Sequence, residues 1–184
     1  MNTPKKILGI VGSLRKQSYN KWLMNAAQKL APAGMEIEIF DLKDIPLFNQ
    51  DDELDMPASV REFKQKIEAA DAILVATPEY NYSFPGVLKN AMDWASRPQG
   101  KNSFSDKPAA VMGATYWSLG ASRAIYQLRQ TFVFLDMHVL NKPEIMMPFV
   151  AEKFSDTGEL TDEDSKDKLR EFLSAFSVWI ERLS

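Results

Sequence analysis

The sequence predicts an α/β three-layer sandwich, a parallel sheet with helices on both faces, and three observations carry that prediction. KKILGIVG (residues 5–12) and DAILVAT (71–77) are continuous apolar runs, the pattern of strands buried on both faces. Amphipathic stretches with helical periodicity alternate with the strand candidates along the chain. The 184 residues, 45% hydrophobic, suffice for one sizeable core, and no repeat, linker or composition break divides them, so a single domain over 1–184 is expected.

After the first strand, residues 20–30 place Leu23, Ala26, Ala27 and Leu30 on one helical stripe. MEIEIFDL (35–42) alternates apolar and acidic residues and reads as a strand nearer the sheet edge, followed by a polar loop through Asp51, Asp52 and Glu53. Residues 59–70 form a helix with Val60, Phe63 and Ile67 inward, and 71–77 the next strand. A helix over 85–97 begins near Pro85, where a missing N–H costs nothing. PAAVMGAT (108–115) is the fourth strand, and 121–135 a helix with Ala121, Ile125, Leu128 and Phe132 on one face. Residues 136–140 are a short fifth strand, and 162–183 a closing helix with Thr161 as its expected N-cap. Five strands favour the flavodoxin-like order 2-1-3-4-5, with sites in the loops leaving strands 1, 3 and 4.

Composition excludes several classes. The chain has no cysteine, so disulfides, thiolate catalysis and Cys-based metal sites are out, and no metal site is expected. A formal charge of -3 with dispersed Lys and Arg argues against nucleic acid or anionic membranes as partners. The opening MNTPKK leads into a strand too short for a secretory signal or a membrane span, so a cytoplasmic location is expected. The single histidine, His138, falls on the late short strand and is read as structural.

The three loops are the unusual part. GSLRKQSYN (12–20) offers hydroxyls at Ser13 and Ser18, the Arg15 guanidinium and a helix start whose N–H groups attract anions, though it matches neither the P-loop nor the dinucleotide fingerprint. It reads as a phosphate cradle or, more plainly, as a helix cap beside a solvated Arg. PEYNYSFPG (78–86) packs aromatic and amide groups into a turn suited to a flat, partly polar ligand; ordinary packing is the alternative. TYWSLG (115–120) again combines a hydroxyl, aromatics and a glycine. A phosphate at the first loop and a planar ring at the others describe FMN, with a nicotinamide as hydride source.

These motifs resemble the NAD(P)H-dependent FMN reductases, in the branch of soluble bacterial quinone, azo-dye and chromate reductases. The resemblance rests on GSLRKQSYN, PEYNYSFPGVLKNAMDWASRP and GASRAIYQLRQTFVFLDMHVLNKPE in that order, and spans nearly the whole chain. It implies FMN phosphate contacts at Ser13, Arg15, Ser18 and Asn20, with Tyr19 adjacent. It implies ring contacts at Pro78, Glu79, Tyr80 and Asn81, chiefly through backbone groups, with Thr115 joining from the third loop. No side chain is then catalytic, because the flavin N5 carries the chemistry, and Glu79 positions rather than acts as a base. NADPH or NADH is the co-substrate and a quinone or similar small molecule the electron acceptor, with azo dyes, nitro compounds and chromate open.

The third loop departs from the family pattern of small residues: Tyr116 and Trp117, with Tyr82 opposite, are assigned to acceptor access. The family's dimers and tetramers imply a homo-oligomer, in which Arg123 and Tyr126 meet Glu144 of a neighbouring copy or belong to a solvated helix. An electron-carrier flavodoxin is the alternative function, disfavoured by the Arg in the first loop and the weak net charge. A phosphoacceptor signalling domain is set aside, since Thr77, Pro78 and Glu79 stand where its Asp would be.

Overall fold

The computed structural model describes residues 4–183; the MNT that opens the amino-terminal reading lies outside them. Strands β1 (Lys5–Val11), β2 (Met35–Phe40), β3 (Ala72–Thr77) and β4 (Pro108–Ala114) form a parallel sheet with β5 (His138–Val139) in the order 2-1-3-4-5. Between them run α1 (Tyr19–Leu30), α2 (Ala58–Ala69), α3 (Gly86–Ala95) and α4 (Ser122–Phe134), and α5 (Glu163–Leu183) closes the chain.

Alternation along the strands fills a layer on each side of the sheet. Ile7 and Val11 of β1, Leu74 and Ala76 of β3 and Met112 of β4 pack with Leu23 of α1 and Phe172 and Phe176 of α5. The intervening residues, Leu8, Ile10, Ile73, Val75 and Val111, meet Phe63 of α2, Leu88 and Trp94 of α3 and Leu128 of α4. Each such large apolar side chain contributes about 1.5–3 kcal/mol when fully buried. Both faces being covered explains why β1 and β3 read as unbroken apolar runs.

The structure refines three sequence expectations. The segment read as one fifth strand over 136–140 is divided: β5 pairs with the start of β4, and β6 (Ile145–Met147) pairs in parallel with Met112, Gly113 and Ala114 at its end. Pro143, between the two pieces, has no N–H for the ladder. The polar loop after β2 contains two short 3-10 turns, Leu42–Asp44 and Gln50–Asp52.

The α5 cap is Asp162 rather than Thr161. Its carboxylate accepts from the Ser165 backbone N–H at 3.0 Å and from Lys153 Nζ at 3.0 Å, while the Thr161 hydroxyl donates to the Lys153 carbonyl. Asp162 is consequently held at a pKa of about 2, by the Ser165 hydroxyl first and Lys153 second.

Candidate functional site

Register brings the carboxyl ends of β1, β3 and β4 level, with Val11 opposite Ala76 and Thr77 opposite Gly113, so the three loops leave the sheet side by side. The Gly12 N–H donates to the Ala76 carbonyl at 2.8 Å, carrying β1 into its loop along β3. Ser13 Oγ then lies 3.5 Å from the Tyr80 hydroxyl, joining the first loop to the second.

In the first loop, Leu14, Arg15, Lys16 and Gln17 are exposed, whereas Ser18 is only 4% exposed. Ser18 occupies the N-cap position of α1, but its hydroxyl makes no cap bond. The backbone N–H groups of Ser13, Leu14, Tyr19, Asn20 and Lys21 likewise have no hydrogen-bond acceptor among the described residues. An uncapped helix start with converging free donors and a nearby guanidinium is an anion site in chemical terms.

Asn20, expected beside the phosphate, keeps its backbone N–H at the start of α1 but has its side chain engaged by β4. It is buried, its amide nitrogen donating to the Ala114 carbonyl at 2.9 Å and its oxygen accepting from the Ala114 N–H at 3.0 Å. The side chain ties α1 to the end of β4 and so sets where the helix N-terminus points.

The second loop folds back as a tight hairpin. Tyr80 and Ser83 exchange both backbone hydrogen bonds, at 2.8 and 3.0 Å, around Asn81 and Tyr82, whose φ angles are 50° and 69°. Left-handed backbone suits Asn but strains Tyr by roughly 1–2 kcal/mol. Two contacts hold Tyr82 there: Gln127 donates to its carbonyl at 2.9 Å, and the Arg123 guanidinium lies over its ring at 3.7 Å.

Glu79 points back into the protein, its side chain 8% exposed. Its carboxylate accepts from the Arg123 N–H at 3.1 Å and from Arg123 Nε at 2.5 Å, closing the first turn of α4. The pairing joins residues 44 apart, and no local pattern announces it. The Glu79 N–H and that of Asn81 remain without an acceptor among the described residues.

In the third loop the Thr115 N–H donates to the Met147 carbonyl at 3.0 Å, fastening the loop to β6. Gly120 (φ 56°) approaches the Met146 backbone so closely that a Cβ would lie 2.5 Å from its carbonyl carbon, so only glycine fits. Glu79, Asn81, Tyr82, Thr115, Trp117, Leu119, Ala121 and Arg123 line a cleft of about 260 Å³ between the second and third loops. Leu119 adds an apolar wall that its residue type alone does not announce.

Tyr116 and Trp117 part company. Trp117 is 77% exposed and borders the cleft, whereas Tyr116 turns toward the first loop, its ring edge-on to Tyr19 with centroids 5.0 Å apart. The remaining expectations concern α4. Arg123 is engaged by Glu79, and Glu144 lies within the same chain 3.4 Å from the Tyr126 hydroxyl and 3.6 Å from Arg129, so these groups have partners without a second copy. His138 pairs with Asp106 at 2.6 Å beside the start of β4, at the end of the sheet away from the loops.

Fold and rim together define a flavodoxin-like nucleotide-binding protein. The chain belongs to the NADPH-dependent FMN reductase family, whose sequence model matches residues 5–152. It is 50% identical to an NAD(P)H-dependent FMN reductase of Pseudomonas aeruginosa over 184 residues, covering 100% of this chain and 99% of the relative. It is 39% identical to a 2-hydroxy-1,4-benzoquinone reductase from a Burkholderia species, covering 95% and 96%. The structure superposes with a TM-score of 0.91 on FerB, a flavoenzyme NAD(P)H:(acceptor) oxidoreductase from Paracoccus denitrificans, 42% identical, covering 97% of this chain and 98% of that one.

Proposed function

We propose that this protein is an FMN-dependent NAD(P)H oxidoreductase that passes electrons to quinones, working as one domain in which the loop residues bind and the cofactor reacts. The observation that carries the reading is the placement, on one rim, of an open anion cradle at the start of α1 beside an aromatic cleft. Relatives named as FMN and quinone reductases along nearly the full chain support it.

The donor set fits the cofactor. Ser13, Arg15, the Ser18 hydroxyl, which makes no cap bond, and the free N–H groups through Tyr19 match a phosphomonoester, which wants several donors and a cation. Pro78, Glu79, Tyr80, Asn81 and Thr115 would hold the flavin ring, with the N–H groups of Glu79 and Asn81 free to donate to its polar edge. When bound, the flavin supplies the redox chemistry, taking a hydride from a nicotinamide and returning electrons to an acceptor.

The chain's own work is placement. Glu79 anchors the loop to α4, its oxygens engaged by the Arg123 backbone N–H and Nε. Asn20 fixes the direction of the cradle. Tyr82 and Trp117, both exposed at the cleft, present flat surfaces on which a planar acceptor stacks.

The proposal includes a homo-oligomer. The exposed Tyr126, Val133 and Phe134 on α4 support it, Val133 and Phe134 being 79% and 86% exposed. It also includes a cytoplasmic location; among the described residues no helix is long and apolar enough to cross a membrane.

Steady-state rates with NADPH and NADH against quinones, azo dyes, nitro compounds and chromate test the reading. Parallel double-reciprocal lines and a requirement for FMN are expected with quinones. Nicotinamide oxidation independent of FMN would overturn it.

A further inference from the structure

Arg123 is only partly used by the contacts described above. Its backbone N–H and that of Ala124 meet one oxygen of the Glu79 carboxylate, at 3.1 and 3.4 Å, while its Nε and Nη2 meet the other. The Tyr82 ring covers one face of the guanidinium at 3.7 Å. A guanidinium carries five N–H donors and no acceptor. Nη1 donates to no acceptor among the described residues, and the side chain, which lines the cleft, is 38% exposed. With one edge taken by Glu79 and one face by Tyr82, what Arg123 leaves to a ligand is Nη1 and the open face.

The wall that Arg123 forms is positive. Glu79 brings one negative charge, and no other carboxylate lines the cleft. Against it stand the guanidinium and the N-terminal end of the 13-residue helix α4, the latter equivalent to roughly half a positive charge. The mouth is otherwise apolar, with Tyr82, Trp117 and Leu119 all exposed. A ligand that satisfies both parts is flat, to lie on an aromatic ring, and carries an oxygen anion, to take the free N–H groups. A neutral quinone uses the first part fully and the second only through a weaker carbonyl acceptor.

We propose that Arg123 is a specificity-determining residue for the electron acceptor, donating from Nη1 to an anionic oxygen of the ligand. The preferred acceptors are then planar quinones bearing a sulfonate, a carboxylate or an ionised hydroxyl group. Glu79 holds the guanidinium in place before the ligand arrives, so little ordering remains to be done on binding. The inference rests on the quinone-reductase reading above and on the cleft as the acceptor's place.

Two redox-inert analogues separate charge from ring. Naphthalene sulfonate and naphthalene methanol are compared as competitive inhibitors of naphthoquinone reduction by the FMN-loaded full chain. In the wild type the sulfonate is expected to inhibit about ten-fold more tightly, the scale of one hydrogen bond to a charged group. Arg123→Lys, whose ammonium stays with Glu79, and Arg123→Gln, whose amide keeps a donor for it, should both lose that preference, with inhibition by naphthalene methanol unchanged. Equal inhibition by the two analogues in the wild type, or a preference that survives in either folded variant, would overturn the assignment. Wild-type protein that does not reduce naphthoquinone at all would overturn the quinone-reductase reading itself.

Discussion

The Glu79 carboxylate and Arg123 form a bond between loop and helix: Glu79 accepts from both the Arg123 backbone at 3.1 Å and its Nε at 2.5 Å. The contact ties the turn after β3 to the first turn of α4 and positions the two walls of the cleft. Replacing Glu79 by Ala leaves the α4 N–H groups and the guanidinium without their acceptor. A loss of about 1.5–3 kcal/mol in unfolding free energy is expected, the usual scale for hydrogen bonds to a charged group. Urea denaturation measures it. Glu79→Gln, which keeps an oxygen acceptor, should retain the pH profile of turnover; loss of a single-proton limb would mean that Glu79 is a base after all.

Arg15→Ala removes the cation of the cradle. FMN affinity should fall by about 1.5–3 kcal/mol, with little change for riboflavin. Calorimetric titration with the two flavins gives the comparison, and an unaltered FMN affinity would remove Arg15 from the phosphate site.

Trp117 is expected to act on the acceptor. Because it is 77% exposed and borders the cleft, with its loop hydrogen bonds made by the backbone, Trp117→Ala should change kcat/KM among quinones of different size several-fold while FMN affinity moves little. The opposite pattern, weakened FMN with unchanged acceptor ranking, would make it a cofactor wall.

Asp162 gives a pH-dependent contribution to stability. Its folded pKa, about 2, lies below the ordinary 3.8, so the ionised carboxylate favours the folded state. That contribution is complete above roughly pH 4 and is lost as pH falls through the folded value. Asp162→Asn keeps an N-cap acceptor but no titrating charge, so unfolding midpoints of the variant should fall less steeply between pH 4 and 2 than those of the wild type. Identical acid limbs would show that the Lys153 and Ser165 contacts carry no weight.

The layers of the fold were legible because burial on both faces writes continuous apolar runs at β1 and β3, and one-sided burial writes helical stripes at α2 and α5. The division of the last strand was not, because two pieces of two and three residues are too short to carry a period. At the rim, residue types announced the loops, but partners did not follow from type. Asn20 looks like any polar helix-start residue until β4 arrives beside it, and Glu79 finds Arg123 only through tertiary packing. Tyr116 and Trp117 are adjacent in sequence, yet one packs on Tyr19 and the other borders the cleft.

The most direct test is the reductive half-reaction. Protein loaded with FMN, freed of excess flavin and held without oxygen is mixed with NADPH or NADH, and the flavin absorbance is followed before and after adding a quinone. Rapid bleaching by a nicotinamide, followed by full recovery on addition of quinone, is the predicted result. A protein that retains no FMN, or one that holds it yet stays yellow with both nicotinamides, would contradict an NAD(P)H-dependent oxidoreductase.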